Sequence, residues 1–142
     1  MPLCVKKVTQ FKVQMEDRPG QLAEIARGAA NEGINFLAMT GYPREKGRAE
    51  IIGVPEDADK AKRLAANAGI SVETAEALLI TGDDKLGAVA VIAEKVAALG
   101  VNIKACDAMA VEGKFALWLY VAPADLDKVA EALAADCCKE CK

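Results

Sequence analysis

The chain has 142 residues, enough for one ordinary domain or two small ones, and 53% of them are hydrophobic while only 4% are aromatic. The net charge is −3 with no basic block, which argues against a nucleic-acid-binding surface, and the absence of histidine removes the commonest general base and metal ligand. No stretch reaches the roughly 20 apolar residues of a membrane-spanning helix. Because the opening MPLCVKK does not resemble a signal peptide, we expect a cytoplasmic protein.

The first half of the chain predicts a strand, a helix, two strands, a helix and a short strand. Alternating apolar residues indicate the first strand at about 7–15, and apolar spacing of three and four indicates a helix over 19–32. Asp17 is expected to cap this helix, with Pro19 in its first turn and Gly33 as its C′ residue. The remaining elements are expected at 34–40, at 48–54, in a helix that Pro55-Glu56-Asp57 opens, and at 70–72.

The second half repeats this pattern. At a shift of 67 residues, four polar and glycine positions coincide, namely Asp17 with Asp84, Gly20 with Gly87, Gly33 with Gly100 and Asn35 with Asn102. At a shift of 68, VPEDADKAKRLA (54–65) matches APADLDKVAEAL (122–133). The repeat predicts strands at 76–82, 101–110 and 114–121, a helix at 86–99, and a second helix capped by Asp125. Two copies of one unit follow from this agreement.

The order of elements predicts an α+β fold of two ferredoxin-like βαββαβ units, with both helices of each unit on one face of an antiparallel sheet. We expect the first unit at 1–73 and the second at 74–142, with one extended segment leaving the first and becoming the first strand of the second. The last strand of the second unit would fall at 138–141, where the chain reads Cys-Lys-Glu-Cys, so this strand is expected to be absent or a stub.

The stretch MEDRPGQL (15–22) forms the junction between the first strand and the first helix. Gly20 leaves the backbone uncovered, and free N–H groups at a helix N-terminus favour a carboxylate or a phosphate. With one glycine and no following Lys-Ser/Thr, a phosphate-binding loop fits poorly. A tight turn without any ligand explains the same residues, and both interpretations stay open at this point.

Asp-Arg-Pro-Gly-Gln-Leu, followed by Gly33-Ile34-Asn35, resembles the signature of ACT domains, and the likeness covers nearly the whole chain as a tandem pair. ACT domains are small βαββαβ modules that bind amino acids and regulate metabolic enzymes. The resemblance implies a ligand held between the loop after the first strand of one module and a neighbouring module. It also implies a set of binding residues, namely Met15, Asp17, Arg18, Gly20, Gln21, Leu22 and Asn35, with Asp84, Gly87 and Asn102 as their counterparts in the second copy.

In the second copy Lys85-Leu86 replaces Arg-Pro, so that site can be functional, degenerate or purely structural, and a structural role is favoured. The resemblance implies a regulatory protein that binds a small amino acid, with no catalysis and no cofactor, as a homodimer or higher homo-oligomer. An alternative is an interaction subunit of a separate biosynthetic enzyme, similar to the small subunit of acetolactate synthase. A small enzyme or redox protein using the C-terminal cysteines is a third hypothesis.

Several other residues have competing interpretations. Cys137, Cys138 and Cys141 could hold a metal or act in redox chemistry, but no second pair confirms a zinc site, and none is predicted. Cys106 is expected to pack in the core. Asp83 and Asp84 form a carboxylate pair, of which at least one is expected to cap a helix. Trp118 and Tyr120 should share one sheet face.

Overall fold

The computed structural model describes residues 2–135. Its elements in chain order are β1 (Leu3–Glu16), α1 (Gln21–Asn31), β2 (Phe36–Pro43), β3 (Arg48–Pro55), α2 (Ala58–Asn67), β4 (Glu73–Asp83), α3 (Ala88–Ala98), β5 (Ile103–Val111), β6 (Lys114–Val121), a 3₁₀ turn (Pro123–Asp125) and α4 (Leu126–Ala134). The fold is α+β with four helices, and the strand pairs β1–β3, β2–β3, β4–β6 and β5–β6 are antiparallel. None of these helices combines the length and the hydropathy of a membrane span.

The chain divides into two compact units, one of which is inserted in the sequence of the other. Residues 9–75 form the inserted unit, and the described residues 2–8 and 76–135 form the flanking unit. The boundary at 75/76 falls inside β4, so the extended segment that leaves the inserted unit continues as a strand of the flanking unit, as predicted. Residues 2–8, expected at the start of the first unit, belong to the flanking unit.

The inserted unit has the strand order β2-β3-β1. In the β1–β3 pair Phe11 lies opposite Gly53 and Met15 lies opposite Ala49. A small core joins Phe11 of β1 with Ala29 of α1 and Ala61 of α2, so both helices pack on the same side of the strands. The short strand predicted at 70–72 is wrong, because β4 begins only at Glu73.

The flanking unit has the strand order β4-β6-β5, and its core is larger. Leu78 and Ile80 of β4 pack with Ile92 of α3 and Val129 of α4, which again places both helices on one side. Leu3, from the start of the chain, is buried in the same core, and Pro2 and Leu3 lie against Gly82. The start of β1 thus packs beside β4 within this unit. The expected last strand at 138–141 lies outside the described residues.

Glycine C′ residues end α1 and α3, as the pattern of the sequence predicts. Gly33 has φ 72°, and the amide of Ile34 donates to the carbonyl of Ala29 over 2.9 Å, which is the hydrogen bond of a Schellman motif. Gly100 ends α3 in the same way, with φ 71°.

The starts of the two second helices differ. Asp57 caps α2 by accepting from the amide of Lys60 at 3.0 Å, as predicted. Asp125 stands at the N-cap position of α4, as predicted, but it ends a 3₁₀ turn and its side chain makes no capping bond.

The two units also differ where their second helices face the core. Ala58, Ala61 and Ala65 of α2 correspond to Leu126, Val129 and Leu133 of α4. The larger side chains of α4 are all buried and belong to the core of the flanking unit. The packing of the flanking unit therefore depends on side-chain volume that the inserted unit lacks.

Replacing Leu133 by alanine tests this dependence. Leu133 has no exposed surface, so Leu133→Ala is expected to lower the free energy of unfolding by about 2–5 kcal/mol through lost burial and a residual cavity. Urea denaturation followed by circular dichroism measures the change. Val111→Ala is the control, because Val111 is 59% exposed and its truncation is expected to cost less than about 0.5 kcal/mol. Equal effects of the two substitutions would contradict the assignment of the core.

Candidate functional site

The junction between β1 and α1 is built from backbone hydrogen bonds. The amide of Asp17 donates to the carbonyl of Gly47 over 2.8 Å, which fixes the end of β1 beside the β2–β3 hairpin. Gly20 then takes the left-handed conformation, with φ 86° and ψ −12°, and the amide of Glu24 donates to its carbonyl over 3.0 Å. Residues with a side chain disfavour the left-handed conformation, so the glycine allows the chain to turn from strand to helix at this point.

The first turn of α1 has free backbone donors. Within residues 2–135, the amides of Leu22 and Ala23 donate to no backbone carbonyl, as is normal for the start of a helix. Residues 17–20 are exposed, and no atom lies within 4 Å of the position a Cβ would take at Gly20. The helix dipole adds a partial positive charge here. This corner can therefore accept a carboxylate, which is one of the two interpretations that the sequence leaves open.

The predicted capping role of Asp17 is wrong. The N-cap residue of α1 is Gly20, no side chain caps the helix, and Pro19 lies in the turn before the helix rather than in its first turn. The turn places three residues between Asp17 and Gln21, the first residue of the helix. The carboxylate of Asp17 has no hydrogen-bond or ion-pair partner in the described part of the chain, so it is available to a positively charged group.

Arg18, Gln21 and Glu24 form a polar cluster beside this corner. The Arg18 Nη2 atom lies 3.3 Å from both carboxylate oxygens of Glu24, and its Nε lies 3.2 Å from Glu16 Oε2. Gln21 Nε2 lies 3.4 Å from Glu24 Oε2. Glu24 is absent from the binding residues expected from the sequence, although an acidic residue in the first turn of a helix is a recognisable signal.

Two of the predicted apolar contacts differ in exposure. Met15 is buried, on β1 opposite Ala49, whereas Leu22 is 52% exposed at the start of α1. Six of the expected binding residues belong to one continuous segment at the end of β1 and the start of α1, namely Met15, Asp17, Arg18, Gly20, Gln21 and Leu22. An exposed leucine beside free amides can contact a ligand or a second molecule.

Asn35 is not part of this segment. It precedes β2, where its Nδ2 lies 3.5 Å from Glu56 Oε2 and its carbonyl accepts from the Glu56 amide over 2.8 Å. Along β3, the loop lies at the Arg48 end and Asn35 lies at the Pro55 end. Seven residues of strand separate these ends, a distance of about 24 Å. Within the inserted unit, Asn35 cannot share a small-molecule pocket with Asp17.

The corresponding loop of the flanking unit has the same backbone. The amide of Asp84 donates to the carbonyl of Gly113 over 2.8 Å, and Gly87 has φ 87° and ψ 6°. Leu86, in the place of Pro19, is fully exposed. The proline is therefore not needed for this conformation. Asn102 lies at the far end of its unit, as Asn35 does, because Ile103 pairs with Val121 and Asp83 pairs with Lys114.

A surface depression of about 550 Å³ accompanies this second loop. Asp84 and Gly87 line it together with Ala108 and Met109 of β5 and Phe115 of β6. The β5 residues carry no polar motif, so no signal in the sequence points to them. The second loop is thus as open as the first.

The remaining candidates have simpler roles. Lys114 hydrogen-bonds Asp83, which holds the pKa of that carboxyl below its ordinary value and keeps it ionised. Neither Asp83 nor Asp84 caps α3, whose N-cap is Gly87, so the predicted cap is wrong. Cys106 is exposed on β5, the outermost strand of its unit, and the prediction of core packing is also wrong. Trp118 is buried.

Residues 2–135 contain no group of three or more His, Cys, Asp and Glu side chains that could hold a metal ion. Cys137, Cys138 and Cys141 lie outside the described residues.

The β2–β3 hairpin, whose Gly47 carbonyl accepts from the Asp17 amide, contains polar contacts of its own. Glu50 is 2% exposed, accepts a hydrogen bond from the Tyr42 hydroxyl and has Arg44 Nε at 3.8 Å. The Arg44 guanidinium also lies 5.8 Å from the centre of the Tyr42 ring. The hydrogen bond to Glu50, together with partial burial, raises the pKa of Tyr42 above its ordinary value of 10.0.

Comparison with known proteins gives a match in fold. No family model and no curated protein sequence matches the chain. Protein BT0572 from Bacteroides thetaiotaomicron is similar in structure, with a TM-score of 0.81 and 22% identity over 92% of this chain and 89% of that one. The ligand-free regulatory subunit of aspartate kinase from Thermus thermophilus has a TM-score of 0.67 and 15% identity, over 96% and 97% of the two chains.

The regulatory subunit of aspartate kinase from Thermus flavus is also similar, with a TM-score of 0.64 and 14% identity over 96% of this chain and 94% of that one. The chain therefore shares the fold of these aspartate kinase regulatory subunits, and the resemblance seen in the sequence is confirmed at the level of the fold.

Two glycines of the same segment provide a matched test of the junction. At both Gly20 and Gly28 the space that a Cβ would occupy is open to 4 Å, but Gly20 has a positive φ and Gly28 lies inside α1. We expect Gly20→Ala to lower the free energy of unfolding by about 1–2 kcal/mol. Gly28→Ala is expected to raise it by about 0.5–1 kcal/mol. Chemical denaturation measures both, and changes of the same sign would contradict the left-handed junction.

Removing the Tyr42 hydroxyl tests the support of the hairpin. Tyr42→Phe leaves the buried Glu50 without its hydroxyl donor, so we expect the free energy of unfolding at pH 7 to fall by about 1–3 kcal/mol. Because the pKa of Tyr42 is raised in the folded protein, its contribution is present below pH 10 and is lost as the pH rises through the folded-state pKa. Unfolding measured between about pH 7 and 11 should show this loss in the wild type and not in Tyr42→Phe.

Tyr120→Phe is the control for this experiment, since no hydrogen bond of the Tyr120 hydroxyl is present in the described part of the chain. If Tyr120→Phe had as large an effect as Tyr42→Phe, the loss of stability at alkaline pH would have a cause other than the Tyr42–Glu50 hydrogen bond.

Proposed function

We propose that the protein is a non-catalytic regulatory protein that binds a free α-amino acid at the loop between β1 and α1. The observation that carries the proposal is the open corner at Gly20, since one exposed loop carries both the unpaired carboxylate of Asp17 and the free amides of the first helical turn. An α-amino acid presents a carboxylate and an ammonium group side by side. The amides of the first helical turn suit the carboxylate, and Asp17 suits the ammonium.

Each unit is, on this proposal, an ACT-like module of the ferredoxin-like type. The likeness in fold to the regulatory subunits of aspartate kinase supports this assignment. The loop of the flanking unit, with Asp84 and Gly87, is the second candidate site. Its backbone conformation equals that of the first loop, which supports a binding role beyond the structural one.

The amide of Asn35 enters this proposal only through the loop of another module. Since Asn35 is about 24 Å from the loop of its own unit, it can contact only a ligand held by a different module, which a homo-oligomer supplies. Exposed apolar side chains support such an assembly. Leu37 and Met39, on the outermost strand of the inserted unit, are 45% and 37% exposed. An exposed apolar edge strand favours pairing with another chain.

A second candidate function is that of a regulatory subunit for a separate biosynthetic enzyme. It is favoured by the likeness in fold to the Thermus thermophilus regulatory subunit, which extends over 96% of this chain. Co-purification from the native host, followed by assay of the recovered enzyme with and without the amino acid, tests this candidate. An enzyme whose rate is unchanged by the amino acid and by removal of the protein would contradict it.

Calorimetric titration against the twenty amino acids tests the proposed binding. We expect at least one to bind and Asp17→Asn to weaken it about tenfold or more, because a hydrogen bond to a charged group contributes about 1.5–3 kcal/mol. Asp59→Asn, a change in α2 away from the loop, is the control and should leave the affinity unchanged. Asp84→Asn reports whether the second loop binds as well. Silent titrations with folded protein, or equal affinities of the wild type and Asp17→Asn, would contradict the proposal.

A further inference from the structure

A cavity of about 320 Å³ lies between the helices and strands of the inserted unit. The inward faces of α1 and α2 form its roof, and Phe11, Phe36 and Ile51 belong to the strand side. Its volume is at the lower end of the range of small-molecule sites in proteins. Met39 and Ile70, which also line it, are 37% and 43% exposed, so the cavity is open to solvent.

The alanines of α2 explain why this cavity exists. Ala61 and Ala65 line it, and the corresponding residues of α4 in the flanking unit are Val129 and Leu133, which are completely buried in a core. At these two helix positions the flanking unit thus carries larger side chains, whereas the inserted unit carries only methyl groups. The inserted unit retains the fold while its interior stays partly unfilled.

The lining of the cavity is apolar except at one end. Among the described residues that line it, the polar side chains are Gln21 and Glu24, both in the first turn of α1. Gln21 follows Gly20 directly, so the polar end of the cavity adjoins the corner proposed to bind a carboxylate. A molecule that fits has one polar end, at the start of α1, and an apolar remainder beneath the two helices.

The charges at the polar end are of both signs. Glu24 lines the cavity, and Arg18 Nη2 lies 3.3 Å from its carboxylate oxygens. Because these two groups pair with each other, they add no net charge at this end of the cavity. This balance suits a zwitterionic head group whose carboxylate and ammonium are held by the helix amides and by Asp17.

We infer that the ligand is an α-amino acid with a large branched or aromatic side chain, and that this side chain occupies the cavity beneath α1 and α2. The inference rests on the proposed function and adds the class of amino acid to it. Small amino acids leave the cavity empty, and charged side chains would lose hydration there without gaining a partner. Leucine and phenylalanine are the probes that fit the apolar lining.

Calorimetric titration of the wild type with leucine, phenylalanine, alanine, serine and lysine is the first test. Each buried CH₂ group contributes about a factor of four in affinity, so we expect leucine to bind about 60-fold more tightly than alanine. Serine and lysine should bind no better than alanine. Equal affinities for leucine and alanine would overturn the inference while leaving the proposed function intact.

The double variant Ala61→Val/Ala65→Leu is the second test. It introduces the residues that the flanking unit carries at these positions, and it is expected to weaken leucine binding at least tenfold by filling the cavity. Ala66→Leu is the matched control, because Ala66 is an exposed residue of the same helix that does not line the cavity. Ala65→Leu alone serves if the double variant does not fold.

Unchanged leucine affinity in a folded cavity-filled variant would overturn the inference. Titration with the uncharged probe 3-methylbutan-1-ol shows whether the cavity binds apolar molecules that are not amino acids. If it binds and no amino acid does, the cavity takes apolar molecules, and both the inference and the proposed function are wrong.

Discussion

The junctions β1–α1 and β4–α3 depend on the same pair of backbone constraints. A hydrogen bond to a glycine carbonyl of the adjacent hairpin ends the strand, from Asp17 to Gly47 and from Asp84 to Gly113. A left-handed glycine three residues later then redirects the chain into the helix. Because these constraints involve only the backbone, the side chains of the loop are not needed to hold its conformation. This freedom explains how Lys85-Leu86 can replace Arg18-Pro19 without a change of conformation, and it leaves the carboxylate of Asp17 unpaired.

The features that the sequence predicts well are those with a local physical cause. The repeat, the order of elements and the glycine C′ residues follow from spacing and from backbone conformation, which neighbouring residues determine. The role of Asp17 is harder to predict because two kinds of helix start compete there. A side-chain cap and a left-handed glycine both satisfy the motif, and the sequence does not show which one begins the helix. Cys106 is a related case, because an apolar strand is buried only if another element covers it, and β5 is outermost in its unit.

The distance between Asn35 and the loop is a different case, since it follows from helix geometry. α1 has 11 residues and spans about 16 Å, so residues before and after it lie at opposite ends of the unit. Two motif residues on either side of one helix can therefore contribute to one site only if one of them is supplied by another chain or module. The assignment of residues 2–8 to the flanking unit could not be predicted from local pattern, because long-range strand pairing decides which core receives Leu3.

The loss of side-chain volume in α2 changes what α1 can do. In the flanking unit α3 is held by three buried residues, Ala88, Ile92 and Val96, whereas α1 buries only Ala29. The helix whose amides are proposed to bind a carboxylate is therefore the one with the weaker attachment to its strands. A side chain seated in the cavity would supply the missing apolar contacts to α1 while its head group contacts the first turn. Binding would then stabilise the inserted unit by mass action, since a ligand that binds only the folded state shifts the folding equilibrium. A regulatory protein needs a response of this kind, because a ligand can transmit a signal only if it binds one state better than another.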